Sequence, residues 1–362
     1  MALGAHFAWI TGWCRGGAEA ALRDALERAG VASLVHWPAP PAGLEPPVTL
    51  GNPRWARPFE VFVRLIGMPA AREADPSQML ALIAPLLFGF MFGDVGQGAV
   101  LLVLGLALQR RHPPLALLTS GGVASIAFGF AFGSVFGRED LVEPLWIRPL
   151  AEPLTLLAAA LVLGVLLVGG GLLVDAASLL AAGLAREWLR ERAGLLLGYA
   201  GGVLAAGAGL GMPGGTALAA CGGVLAASGL LVTLAAPAVG QASGRRLATA
   251  AAAVGRLLEA ALQLAVNTVS FLRVGAFALA HAGLSLAIVA LAAAAPRGFA
   301  SLLVLALGNA FVIVLEAAVA GIQTTRLVLF EFFSRFLRAG GRAFVALPSL
   351  ELSLTDRRGE ST

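Results

Sequence analysis

The chain has 362 residues, 58% of them hydrophobic and 13% charged, with a formal net charge of +4; its mean hydropathy is +0.85. That balance excludes an ordinary soluble domain and points to an all-α polytopic membrane protein. Arginine is the basic residue throughout, lysine being absent; no basic-aromatic tract supports nucleic-acid binding, and Cys14 and Cys221 form neither a metal-ligand spacing nor a disulfide framework.

Residues 1–50 form the one soluble portion expected. HFAWITGW reads as a short strand, and Gly17 to Ala29 has helical periodicity, with Ala18, Leu22, Ala25, Leu26 and Ala29 on one side. Its core is too small to stand alone. WPAPPAGLEPPVTLGNP reads as a stiff extended linker, because its prolines remove backbone donors and restrict the residues before them. Residues 51–78 alternate aromatic and apolar positions with Arg57, Glu60 and Arg64, as in a helix lying at a membrane interface.

The apolar run from Met79 to Leu108 is interrupted by GDVGQG, and reads as one tilted span or as two half-crossing helices. Charge placement favours the second. With a hairpin there and a cytoplasmic N-terminus, QRRH at 109–112, AREWLRER at 185–192, GRR at 244–246 and the tail from Arg335 all fall on the cytoplasmic side. Later runs cover 115–137, 151–175, 193–212, 216–239, 257–294 and 298–331, which brings the expected count to about eight membrane segments. A transmembrane domain therefore spans 79–331, followed by a cytoplasmic tail at 332–362.

The last two runs carry the chemistry. At about 100° per residue, Glu259, Gln263, Asn267, Ser270, His281 and Ser285 fall within an arc of roughly 80°, with Arg273 roughly 60° from Ser270. Asn309, Glu316 and Gln323 recur every seventh position on the partner segment, with Arg326 one turn beyond. An ionisable side chain at such depth costs several kcal/mol unless it faces protein, water or an ion path. Opposed polar flanks on two such helices can pass a cation between carboxylate, imidazole and amide groups. The bland alternatives make Arg273 a structural partner of Glu316, Glu259 an interfacial charge, His281 a packing residue and Asp94 a helix cap. Glu331, Arg335, Arg338 and Arg342 read as an amphipathic cytoplasmic end, and Asp175 as an interface marker.

Three ordered motifs carry a family resemblance: GNPRWARPFEVFVRLIGMPAAREADPSQMLALIAPLLFGFMFGDVGQG, NTVSFLRVGAFALAHAGLS and LEAAVAGIQTTRLVLFEFFSRFLRAGGRAF. Over residues 51–345 the chain resembles the membrane half of the a subunit of V-type ATPases, called subunit I in bacterial and archaeal V/A-type enzymes. The resemblance implies eight membrane segments opening with a short hairpin, and a stator that forms two ion half-channels against the proteolipid rotor ring. It implies that Arg273 faces the ring's ion-carrying carboxylate, that Arg326 is the second family arginine, and that Glu259, His281 and Glu316 line the half-channels. Gln323 stands where many eukaryotic members have histidine. The implied setting is a prokaryotic cell membrane with both termini cytoplasmic, and the implied partners are the ring, the peripheral stalk and other rotary ATPase subunits. Most of the family's cytoplasmic half has no counterpart here, so the resemblance leaves a short stator with a separate chain supplying the arm, or a truncated product. The chain has no GxxxxGK[ST] cradle, no expected cofactor and no expected metal, so it is not a catalyst by itself. A secondary ion transporter and a non-conducting assembly subunit are the alternative functions.

Overall fold

A computed structural model describes residues 2–3, 8–14, 18–38, 44–70, 75–111, 113–181, 183–210, 214–238, 246–333 and 340–345. Arg335, Arg338, His112 and the start of GRR at 244–246 lie outside the described residues. The chain divides into two units.

The smaller unit comprises Met1–Gly51, Gly67–Glu73 and Ala339–Thr362. Strands β1 (Ala2–Leu3) and β2 (Ala8–Trp9) pair antiparallel, so the expected strand in HFAWITGW is two residues long. Helix α1 (Glu19–Arg28) occupies the periodic stretch and has no buried residue. The proline-rich stretch is not wholly free chain: Val48 exchanges backbone bonds with Arg342 and Phe344 at 2.8 and 3.0 Å, and Gly341 N–H donates to Met68 at 3.0 Å.

The larger unit comprises Asn52–Ile66 and Ala74–Arg338. It opens with a single 3-10 turn at Arg57–Phe59 and α2 (Glu60–Ile66), where Ala56, Phe59 and Val63 are buried. Asn52 Nδ2 donates to Asp75 at 2.7 Å and to Glu60 at 3.2 Å, fastening this segment to the start of the helical domain.

The helices that follow are α3 (Ser77–Met91), α4 (Val95–Leu108), α5 (Ala116–Phe132), α6 (Pro153–Ala181), α7 (Ala185–Glu191), α8 (Ala193–Gly209) and α9 (Gly215–Ala238). Then come α10 (Arg246–Ser270), α11 (Leu272–Ala294) and α12 (Phe299–Arg326), which runs into a π-helical turn at Leu327–Phe332. Among the described residues four spans are long and apolar enough to cross a membrane: Pro153–Ala181, Gly215–Thr233, Val254–Ala294 and Phe299–Phe332. Helices α3, α4, α5 and α8 are apolar but shorter.

The run from Met79 to Leu108 is two helices. Helix α5 lies along α4 in the opposite direction, since Gly129 meets Val95 while Gly105 meets Thr119. Along the end of α3 it runs the same way, with Gly121 beside Phe88 and Gly93 beside Phe132. The chain therefore reverses at Phe92–Asp94. Asp94 makes that reversal possible. Fully buried, it caps α4 by accepting from Gln97 N–H at 2.9 Å, and it also accepts from Ser134 Oγ, Phe136 N–H and Gly137 N–H at 2.6, 2.9 and 2.8 Å. Each donor satisfies part of a carboxylate that would otherwise be costly to bury. The glycine at 129 is needed for proximity, because a Cβ there would lie 2.3 Å from Val95 N.

Small residues also bring α8 and α9 together: a Cβ at Gly201 would lie 2.5 Å from Ala226 N, and one at Gly222 would lie 2.7 Å from Gly201 O. Helix α11 packs on α6, α12 and α3, and α10 on α9, α6 and α8, so both sit within the bundle.

Candidate functional site

The span Val254–Ala294 is jointed at Phe271, between α10 and α11. Two tight turns make the joint: Phe271 N–H donates to Thr268 O at 3.2 Å and Val274 N–H to Phe271 O at 2.9 Å. Phe271 is buried against Gly164 of α6, where a Cβ would lie 2.6 Å from the Phe271 Cβ. An aromatic side chain seated on a glycine thus fixes the joint, and Arg273 follows it by two residues. A helical wheel with uniform spacing does not carry across this point. The polar flank drawn from Glu259 to Ser285 divides into separate groups.

The first group surrounds Arg273, which is half-buried. Its guanidinium donates to Ser270 Oγ at 2.9 Å and to Gln323 Oε1 of α12 at 3.3 Å. Ser270 Oγ in turn lies 2.5 Å from Glu331 Oε1. Both direct partners of Arg273 are neutral. Sequence reasoning grouped Glu331 with Arg335, Arg338 and Arg342 as an amphipathic cytoplasmic end and so did not place it in the polar cluster. Glu331 lies in the π turn, where bonds run from i to i+5, and it is buried.

The second group lies about 12 Å along α11 by helix rise. His281 Nδ1 hydrogen-bonds Glu316 Oε2 of α12, and the imidazole stacks at a tilt over Phe92 with 4.7 Å between ring centres. Glu316 thus has His281 as its partner, and the alternative Arg273–Glu316 pair is not formed. His281 Nε2 and Ser285 Oγ are buried without a hydrogen-bond partner among the described residues. Both side chains line a small cavity with Gly93, Ser134, Gly137 and Glu139. Imidazole and carboxylate in contact can exchange a proton, and the cavity leads from them towards the loop between α5 and α6.

Other expected residues are placed differently. Gln263 Nε2 donates to Asn267 Oδ1 at 3.2 Å, while Glu259, one turn earlier on α10, is exposed. Arg326 closes α12 and is exposed. Asn309 Oδ1 accepts from Gln97 Nε2 at 2.9 Å, tying α12 to the buried hairpin rather than to α11. Asp175 is paired with Arg192 at 2.7 Å, which gives it a structural partner that spacing alone did not reveal. Among the described residues no group of three or more His, Cys, Asp or Glu side chains is placed to hold a metal ion.

Residues 4–132 match the family described as V-type ATPase 116kDa subunit family. The chain is 38% identical over 99 residues to the A-type ATP synthase subunit I of Archaeoglobus fulgidus, covering 26% of this chain and 15% of that protein. Part of this chain is homologous to subunit I of A-type and V-type ATP synthases. The subunit of the same name in Methanothermobacter thermautotrophicus is 29% identical over 183 residues, 44% of this chain and 28% of that protein. The V-type ATP synthase subunit I 2 of Treponema pallidum is 37% identical over 108 residues, 27% of this chain and 24% of that protein. These matches thus span 15% to 28% of the relatives' lengths.

Proposed function

We propose that this chain is the stationary ion-conducting membrane subunit of a rotary V/A-type ATPase. In this reading it forms two half-channels against a ring of proteolipid subunits and couples passage of a proton or sodium ion to rotation of that ring. Its eight apolar helices, α3 to α6 and α8 to α12 with α10 and α11 counted as one span, cross the bilayer with both termini cytoplasmic. A peripheral stalk and a soluble ATP-hydrolysing motor complete the machine, and the catalytic step belongs to that motor.

One observation supports this reading most: Arg273 sits half-buried in a membrane-length span with only neutral direct partners, Ser270 and Gln323. A structural arginine at such depth is expected to sit against a carboxylate, since an uncompensated charge there is costly. A guanidinium held by a hydroxyl and an amide keeps its charge for a visitor. Guanidinium does not deprotonate in proteins, so the charge persists in a poorly hydrated site. A rotor carboxylate arriving beside it has its pKa lowered by the opposite charge and releases its proton. The same charge repels a free cation, which separates the two half-channels.

The His281–Glu316 pair supplies an imidazole and a carboxyl group about 12 Å from Arg273 along α11. Its cavity, with Glu139 on the α5–α6 loop, provides an approach from one side of the membrane. Exposed Glu259, about 21 Å from Arg273 in the other direction, begins the approach from the opposite side.

The test is ATP-driven ion uptake by the purified complex in vesicles, scored against the amount of ring that copurifies. Arg273→Ala should retain the ring and lose uptake. Normal uptake by an assembled Arg273→Ala complex would end this reading.

A further inference from the structure

Glu331 is the buried acid that the ion path described above leaves unused. It lies in the π turn that ends a membrane-length span, and its Oε2 has no hydrogen-bond partner among the described residues. Its other oxygen takes the hydroxyl of Ser270 at 2.5 Å, across 61 residues of sequence.

The direction of the Arg273–Ser270 bond is forced. Arg273 can only donate, so Ser270 Oγ must accept from it. Ser270 then has one hydrogen to give, and Glu331 Oε1 is within reach to receive it. The separation is that of a short O–H···O bond. The order guanidinium, hydroxyl, carboxylate is therefore a polarised chain from α11 through the end of α10 to the turn after α12.

We propose that Glu331 is a positioning residue for Arg273, acting through Ser270. This rests on the reading of Arg273 as the stator charge. A carboxylate in direct contact would lock the guanidinium in an ion pair and compete with a visiting acid. One hydroxyl further away, it orients the guanidinium and offsets part of the cost of burying it, while leaving the remaining donors to a visitor. Glu331 lies in the π turn and is buried, whereas Arg326, at the end of α12, is exposed.

The experiment compares Ser270→Ala, Glu331→Gln, their double variant and Ser270→Thr in the complete complex. Uptake is normalised to copurified ring, with Arg273→Ala alongside. Each of the first two should reduce uptake about tenfold, the scale of one hydrogen bond to a charged group. Because both break the same chain, the double variant should be no worse than the weaker single. Ser270→Thr, which retains the hydroxyl, should restore uptake. Multiplied losses in the double variant, failure of the threonine rescue, or a loss that merely follows lost ring would overturn the proposal. If Arg273→Ala still pumps, the stator reading fails instead. The bridge is then decided by thermal denaturation of the purified complex, where additive effects of Ser270→Ala and Glu331→Gln would refute it and non-additive effects would uphold it.

Discussion

His281 and Glu316, 35 residues apart in sequence, hydrogen-bond through Nδ1 and Oε2 and join α11 to α12. The pair removes Glu316 from the neighbourhood in which it would neutralise Arg273. It also gives the two residues a shared fate under mutation. Glu316→Gln keeps shape and hydrogen bonding but cannot titrate, so ion uptake should fall while the complex stays assembled. Uptake by vesicles containing intact complex measures this, and an unchanged rate would make the pair purely structural.

A double variant separates the two arginine roles. Had Arg273 and Glu316 formed a buried pair, removing both would relieve the unpaired acid that Arg273→Ala leaves, a cost of about 3 to 5 kcal/mol. Since Glu316 is held by His281, Arg273→Ala with Glu316→Ala should recover neither uptake nor stability relative to Arg273→Ala. Recovery of transport in the double variant would overturn the stator role of Arg273.

Asp94 offers a stability test independent of transport. Its Oδ1 accepts from Gln97 and Phe136 N–H, and its Oδ2 from Ser134 Oγ and Gly137 N–H. Asp94→Asn can keep the first pair of bonds but turns an amide NH2 towards Gly137 N–H. Asp94→Asn should therefore destabilise the fold by about 2 to 3 kcal/mol and Asp94→Ala by more, because charged-group bonds are individually worth about 1.5 to 3 kcal/mol. Thermal denaturation in detergent reads the order of the three proteins. An alanine variant as stable as the parent would contradict the cap.

Packing at the same reversal predicts a steric effect. A methyl group at residue 129 would lie 2.3 Å from the backbone nitrogen of Val95, which cannot rotate aside. Gly129→Ala should cost at least about 1 to 3 kcal/mol, as overpacking does. Gly170→Ala, at a position with nothing within 4 Å, is the control and should be near neutral in the same denaturation assay.

Sidedness can be read by cysteine labelling. Cys14 and Cys221 are exposed and must first be replaced. Cysteines at Arg111 and Arg190 should then both be modified from the cytoplasmic face. Labelling of Arg111→Cys from outside would sink the eight-segment topology.

Much of the helical layout was legible in the sequence because length and hydropathy are local properties. Met79 to Leu108 divides where glycines and Asp94 interrupt the apolar run, and the AAPRG break at 294–298 falls between α11 and α12. The site was less legible because its partners depend on irregular backbone. The joint at Phe271 owes its place to Gly164, over a hundred positions earlier, and uniform spacing carried Ser270, Arg273 and His281 onto one flank. The arginines that follow Glu331 made it read as part of an amphipathic end, and its bond to Ser270, 61 residues earlier, is a tertiary contact that the local pattern does not carry. Its position at the end of an apolar run placed Asp175 at an interface, but only tertiary structure could supply Arg192 as its partner.

The α8–α9 contact has a mechanical consequence. At Gly201, Gly222 and Gly229 backbone faces backbone, while at Gly194 the helix meets the Thr233 hydroxyl, so few rotatable side chains lie between the helices. Glycine and alanine lose no rotamer entropy on burial, so this seam has few alternative packings to visit. It behaves as a stiff strut, and a stiff strut suits a part that must hold still under torque while its neighbour turns.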